Sequence, residues 1–400
     1  MRLDKPIALL AVAETIVWAG LYYIFPALLV HWEADLGWSK TELTGAFTAS
    51  IAMSALCSPI VGNLVDRGHG AAVLSGGTLI GGILIALLSL VDSLPVFYAV
   101  WCGLGMAMSA CLYEPCFMLV TRTRGVSAKR GITLITLAAG FAGTVSFPSA
   151  HTLVAYADWH LAVQVAGAAV CLVALPLMIA GTRELERTRT THVPPPAASS
   201  SAHAAVQPKK SAFLANPTFW LLAIGFSLMA ISHGVVINHL LPLLKERGVD
   251  AAIAVAAASM IGPMQVLGRV VMMAVERYIS NFVAMCYCFI AVAIACVLLI
   301  GAGAWPILLV GFVFLQGSGY GLTSIMKPVV TREIMGETNF GSIAGAMALP
   351  YLACFAAAPF LGSLFWEIGG YDFALEVVVG TSIIGFFCYL RAATRAGKTA

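Results

Sequence analysis

The chain is 400 residues long, 60% hydrophobic and only 10% charged, with a formal net charge of +3. A soluble domain carries about 25% charged residues, so this composition excludes a water-soluble enzyme and makes lipid the main solvent. The small net charge gives no reason to expect a nucleic-acid partner, and the expected surroundings are a lipid bilayer.

The chain begins MRLDKPIALLAVAETIVWAGLYYIFPALLV, a charged head followed by an apolar body long enough to cross a bilayer. No cleavage-site pattern ends it, so it reads as a first spanning helix. Further apolar runs of about 20 residues follow at 42–65, 71–91, 95–121, 129–151 and 160–181. They resume at 217–243, 250–273, 280–302, 305–331, 340–364 and 371–391. Counting 8–30 as the first, this predicts twelve helices. A barrel is excluded because its strands alternate over about ten residues, and helices are the remaining way to satisfy a backbone in lipid.

The gap GTRELERTRTTHVPPPAASSSAHAAVQPKKSAFLANP is the one long polar stretch. Arg, Thr, Pro, Ser and Ala dominate it, so it has no apolar face to bury and reads as a linker. The expected organisation is therefore a six-helix bundle over 1–181, a linker over 182–216 and a second six-helix bundle over 217–400. The ten Cys include no C-x-x-C pair and no zinc-like spacing with His, so they read as reduced, small apolar side chains.

Basic residues give the orientation. If both termini share one side, that side collects Arg2, Lys5, Arg67, Arg122, Arg124, Lys129, Arg130, Arg183, Arg187, Arg189, Lys209, Lys210, Arg277, Arg332, Arg391, Arg395 and Lys398. The other side collects Lys40, Lys245 and Arg247, while Arg269 and Lys327 fall within helices. The expectation is an integral protein of the bacterial inner membrane with both termini and the linker in the cytoplasm.

The loop after the second helix reads GNLVDRGHG, and Asp66-Arg67 recurs as Glu276-Arg277 after the eighth, 210 residues on. A repeat of six-helix bundles suggests a transporter with its site between the halves near the bilayer midplane. The pattern G-x-x-x-D-R-x-x-G at this place resembles the signature loop of the major facilitator superfamily. The resemblance implies twelve helices in two pseudo-symmetric bundles and alternating access. It implies that Gly62 lets neighbouring helices approach closely, and that Asp66 and Arg67 latch a cytoplasmic gate. Glu276 and Arg277 form a degenerate second copy, because Met272 stands where the glycine would be.

Within that family, LGWSKTELTGAF, KRGITLITLAAGFAGTV and NFGSIAGAM look like the monocarboxylate and oxalate/formate branch. There a helix-eight Arg binds the substrate carboxylate, and Arg269 in PMQVLGRVVMM matches its place. The branch's oxalate carrier also uses a helix-eleven Lys, which is missing here and argues against oxalate.

Arg269 stands out on physical grounds too. A charge at mid-membrane depth is expensive and belongs against a cavity or partner. Arg keeps its proton and offers a planar fork to a carboxylate. Gln265, one turn earlier, lies on the same face. The alternative is that Arg269 snorkels to the cytoplasmic interface.

Glu14 and Glu114 read as buried acids able to carry a coupling proton, or as members of structural ion pairs. Pro115 predicts a distorted helix beside Glu114. On helix seven, His233, Asn238 and His239 read as ligands, proton carriers or packing residues. Tyr22, Tyr23, Tyr320 and Tyr351, with Trp18, are candidates to line the cavity. Lys327 reads as an anion contact or an interfacial side chain.

A competing pattern is Met229 with His233 and Met260 with Met264, both spaced i, i+4. Thioether and imidazole suit Cu(I), and the pairs resemble those of major-facilitator copper importers. No G-x-S-x-G, Walker loop or H-E-x-x-H is present, so neither an enzyme nor an ATP-driven pump is expected. The reading is a monomeric secondary transporter without cofactor or resident metal. Its expected substrate is a small carboxylate or other organic anion, proton-coupled, with copper import and drug or metabolite efflux as alternatives.

Overall fold

The computed structural model describes residues 4–124, 128–188, 212–336 and 340–396. Ten helical stretches are long and apolar enough to cross a membrane. Two of them hold a second span beyond a break, at Gly68 with φ 97° and at Gly369–Gly370, so the described residues contain the twelve expected spans. These are α1 (Lys5–Leu36), α2 (Lys40–Leu64), α3 (Gly70–Leu87), α4 (Leu94–Arg124), α5 (128–156) and α6 (Trp159–Arg187). The second half has α7 (Pro217–Glu246), α8 (Ala251–Val275), α9 (Asn281–Gly301), α10 (Leu308–Met335), α11 (340–368) and α12 (371–396).

Helix starts follow local capping chemistry. Ser39 accepts from the Glu42 amide while its own amide donates to Glu42, the reciprocal arrangement that closes the first turn of α2. Asp250 and Ser280 cap α8 and α9 in the same way with single side chains. Asp158, between α5 and α6, accepts from the Leu161 amide, which holds its carboxyl below the usual range. The polar stretch between the halves is helical through Arg187, six positions past the expected end of α6. A short turn at Ala212–Ala215 leads into α7. The rest of the expected linker, with Arg189, Lys209 and Lys210, lies outside the described residues, as do Arg2 and Lys398.

Three helices depart from regular α geometry where polar side chains gather. Residues Trp18–Tyr23 of α1 form a π-helical turn, a form common at functional sites. α4 breaks at Leu112, φ −90° and ψ −164°, beside Glu114 as Pro115 predicts. α5 is interrupted at Gly140 and Phe141.

Lipid provides little hydrophobic drive between helices, so close packing rests on small residues. On α10, a Cβ at Gly317 would lie 2.4 Å from the Met264 Cβ, and one at Gly321 would lie 2.7 Å from the Gln265 Cα. Gly268 of α8 answers them against Ser318 at 2.8 Å. These glycines bring α8 and α10 close to backbone contact. The two halves meet along α1 with α7, α2 with α11 and α5 with α8. At the α5–α8 crossing, a Cβ on Gly262 would stand 2.1 Å from the Gly140 carbonyl oxygen, and Thr144 donates to the Ser259 carbonyl at 2.6 Å.

The other cross-half bonds lie at the end away from the basic loops. Thr44 and Ser363 hydroxyls meet at 2.7 Å, and Thr41 donates to Glu367. Lys40 sits 3.6 Å over the Trp366 ring and pairs with Glu33 at 3.2 Å. One face of α2, with Leu43, Phe47, Ser50 and Val61, is buried, while Leu56 and Ile60 on the opposite face are 71% and 65% exposed.

Candidate substrate site between the two halves

Arg269 does not snorkel. Its Nε donates to the Gly321 carbonyl of α10 at 3.0 Å, a carbonyl brought within reach by the glycine contact between α8 and α10. Tyr23 and Tyr113 from the first half and Tyr320 from the second lie within its electrostatic reach. No ion pair among the described residues includes Arg269. A partly buried guanidinium thus stands at the α8–α10 contact, within electrostatic reach of tyrosines from both halves. Gln265, one turn away, has its backbone pressed against Gly321.

On the second half a chain of polar rings runs beside Arg269. The His233 ring stacks on Tyr320 with centroids 3.4 Å apart and an interplanar angle of 6°, and its Nδ1 meets Gln316 Nε2 at 3.3 Å. The Tyr320 and Tyr351 hydroxyls meet at 3.0 Å. Lys327 lies 3.6 Å over the Tyr351 ring, so it turns onto α11 instead of extending to the interface. Gln316 was not singled out in the sequence. A buried amide within the apolar run LLVGFVFLQG is the signal that could have found it.

The first half contributes an aromatic wall. Trp18 packs on Tyr113 at 4.6 Å and on Tyr22 at 5.2 Å, and Tyr22 stacks across to Phe355 of α11 at 6.4 Å. Glu14 lies one turn before Trp18. It is fully buried, and neither carboxyl oxygen has a hydrogen-bond partner. Cys116 and the indole nitrogen of Trp18, itself unpartnered, stand beside it. Glu114 departs from the expectation of a second buried acid. Its side chain remains accessible, because the break at Leu112 turns it out of the helix packing.

His239 is a packing histidine. It bonds the Pro359 carbonyl at 2.8 Å and the Tyr371 hydroxyl at 3.2 Å. Of the four sulfur and imidazole candidates, Met260 stands apart, while Met264 packs its Cβ against Gly317. Met229 is buried and accepts from Thr323, and His233 is engaged by Gln316 and Tyr320. Met260 is 43% exposed, in helical register with Ile253 and Leu267 on the outer face of α8.

At the basic end Asp66 and Arg67 are exposed, and no ion pair among the described residues includes them. Arg122 of α4 instead holds the loop, donating to the Val65 and Asp66 carbonyls at 2.5 and 3.0 Å. The close approach expected at Gly62 falls elsewhere. A Cβ there would meet Met118 at an ordinary 3.6 Å, whereas one at Gly70 would reach Leu119 at 3.0 Å. In the second copy Glu276 and Arg277 are also exposed, with Arg277 4.6 Å over the Tyr278 ring.

Twelve spans in two halves, sealed at one end and holding polar side chains between them, define the architecture of a membrane transporter. The Major Facilitator Superfamily profile matches residues 10–348, and the chain belongs to that family. No curated protein matches the sequence. Among solved structures, a bacterial homologue of the human lysosomal transporter Spinster is similar in its inward-facing, occupied form, with TM-score 0.67 and 16% identity, covering 97% of this chain and 96% of the other. Its inward-facing, unoccupied form gives TM-score 0.70 and 14% identity, covering 99% of both. The nucleoside transporter NupG, solved as a point mutant, gives TM-score 0.72 and 14% identity, covering 97% and 98%. At these identities the likeness is one of fold.

Proposed function

We propose that this secondary transporter carries a small carboxylate or related organic anion, coupled to protons, across a bacterial inner membrane with both termini cytoplasmic. The observation that carries the reading is Arg269, a cation between the halves with tyrosines of both halves in its electrostatic reach and, among the described residues, no acidic partner. A carboxylate placed there would take the two terminal nitrogens as a fork and find hydroxyl donors from both halves. Because both halves contribute, the anion would be gripped only while they close around it, as alternating access requires. His233, Gln265, Tyr22, Tyr320 and Tyr351 complete the proposed lining. On the proposed orientation, the sealed end is the periplasmic one.

Glu14 is the proposed proton carrier. A buried carboxyl without a partner is costly when charged, so its charged form belongs to a state in which water or a donor reaches it. Glu14→Gln should abolish stimulation of uptake by an inward proton gradient while leaving substrate exchange between loaded vesicles close to normal. Gradient-driven uptake that survives in Glu14→Gln would move the coupling role to another acid, Glu114 first.

The exposed Asp66 suits a latch that engages in the opposite state. Asp66→Asn is expected to lower turnover severalfold, with a much smaller change in substrate affinity measured in detergent. Normal turnover would remove the latch assignment. The direct test of the reading is uptake into proteoliposomes from a panel of labelled monocarboxylates, dicarboxylates, nucleosides and Cu(I). Saturable uptake confined to the anions supports it, and transport of only the neutral or metal solutes overturns it.

A further inference from the structure

A cavity of about 240 Å³ lies at the sealed end, apart from the site around Arg269. Its walls come from both halves: Ala27, Val30 and Phe147 from the first, Leu241, Ala254 and Val255 from the second. Three basic side chains also line it: His31 of α1, His151 of α5 and Lys245 of α7. His31 feels the charges of Lys245 and His151, and the acid that also acts on it is Asp35, one turn further along α1. No ion pair among the described residues includes His31, His151 or Lys245. Asp35 acts on His31, which leaves Lys245 as a fixed positive charge beside two imidazoles in the same cavity.

The depth of the cluster narrows the ligand. His31 precedes the end of α1 by five residues, and His151 precedes the end of α5 by five. At 1.5 Å per residue that is about 7 Å below the helix ends, the level of lipid headgroups beside the hydrocarbon core. The apolar walls run deeper from there, since Phe147 lies one turn further into α5 than His151. A cationic rim at headgroup depth over an apolar slot fits an anionic amphiphile, with its charge outward and its chain inward.

We propose that this cavity binds the phosphate-bearing headgroup of an anionic membrane lipid, with Lys245 as the fixed charge and His31 and His151 as hydrogen-bonding partners. The walls belong to both halves, so the slot exists only while this end is shut. A lipid bound there stabilises the sealed state over the one in which the halves part at this end, because a ligand shifts an equilibrium by its differential affinity for the two states.

The test is lipid retention by the whole protein, released from detergent and weighed by native mass spectrometry after incubation with phosphatidylglycerol or phosphatidylcholine. Wild type should retain phosphatidylglycerol preferentially. The combined variant His31→Gln, His151→Gln, Lys245→Ala should lose about tenfold in that retention, the scale of one charge-assisted contact, and Lys245→Arg should keep it. Equal retention of the two lipids by wild type overturns the proposal even if the triple variant does not fold. Undiminished phosphatidylglycerol retention in a monodisperse triple variant overturns it too. Displacement of the lipid by inorganic phosphate at comparable concentration would make the site one for a free anion and overturn the lipid assignment.

Discussion

Arg269→Ala is expected to weaken an anionic substrate by roughly tenfold to a hundredfold, since losing a charge-assisted hydrogen bond costs about 1.5–3 kcal/mol. Arg269→Lys keeps the charge and loses the fork. It also loses the bond from Nε to the Gly321 carbonyl that sets the direction of the guanidinium. Most of the loss should therefore appear in the Lys variant as well. The measurement is the initial uptake rate over a range of substrate concentrations, scaled to protein in the membrane. Changing Met229, Met260 and Met264 to Leu should have only packing effects on anion uptake. If full activity survived in Arg269→Ala, the proposed site would be wrong. If uptake instead followed the Met changes and His233→Leu, the cargo would be a soft metal ion and Arg269 a structural residue.

Gly262→Val should lower turnover at least severalfold while leaving the chain folded. A Cβ at this position would stand 2.1 Å from the Gly140 carbonyl oxygen, a backbone atom that no rotamer change can move aside. The contact joins α5 of one half to α8 of the other. The strain therefore falls on the approach of the halves rather than on either bundle alone. Overpacking of this kind costs about 1–3 kcal/mol, which disfavours the sealed state by roughly fivefold to a hundredfold. A cysteine pair at Thr44 and Ser363, whose hydroxyls meet at 2.7 Å, reports on that state. Cross-linking across the pair should fall with turnover in Gly262→Val. Wild-type turnover, or a drop in turnover with cross-linking unchanged, would show that the glycine contact does not set the balance between states.

Membrane span count and approximate ends were legible because a bilayer imposes a length of about 20 apolar residues on each helix. Capping residues such as Ser39, Asp250 and Ser280, which the reading by apolar runs did not use, close the helix starts by local chemistry that needs no partner helix. The break in α4 was legible for the same reason, since Pro115 acts on its own backbone. Arg269 could be picked out because a mid-membrane charge is rare and costly, whatever surrounds it.

What the sequence could not decide was direction and company. The i, i+4 spacing of Met260 and Met264 is a property of one helix. Only the packing of α8 put Met260 on the outer face, away from buried Met229. Two acids in apolar runs read alike, yet Glu14 is enclosed between α1 and its neighbours while the break at Leu112 leaves Glu114 accessible. The stack of His233 on Tyr320, the Lys327 ammonium over Tyr351 and the basic cluster of His31, His151 and Lys245 join residues far apart in the chain. Such neighbours are set by which helix faces the glycine seams draw together, and no local pattern along the chain carries that information.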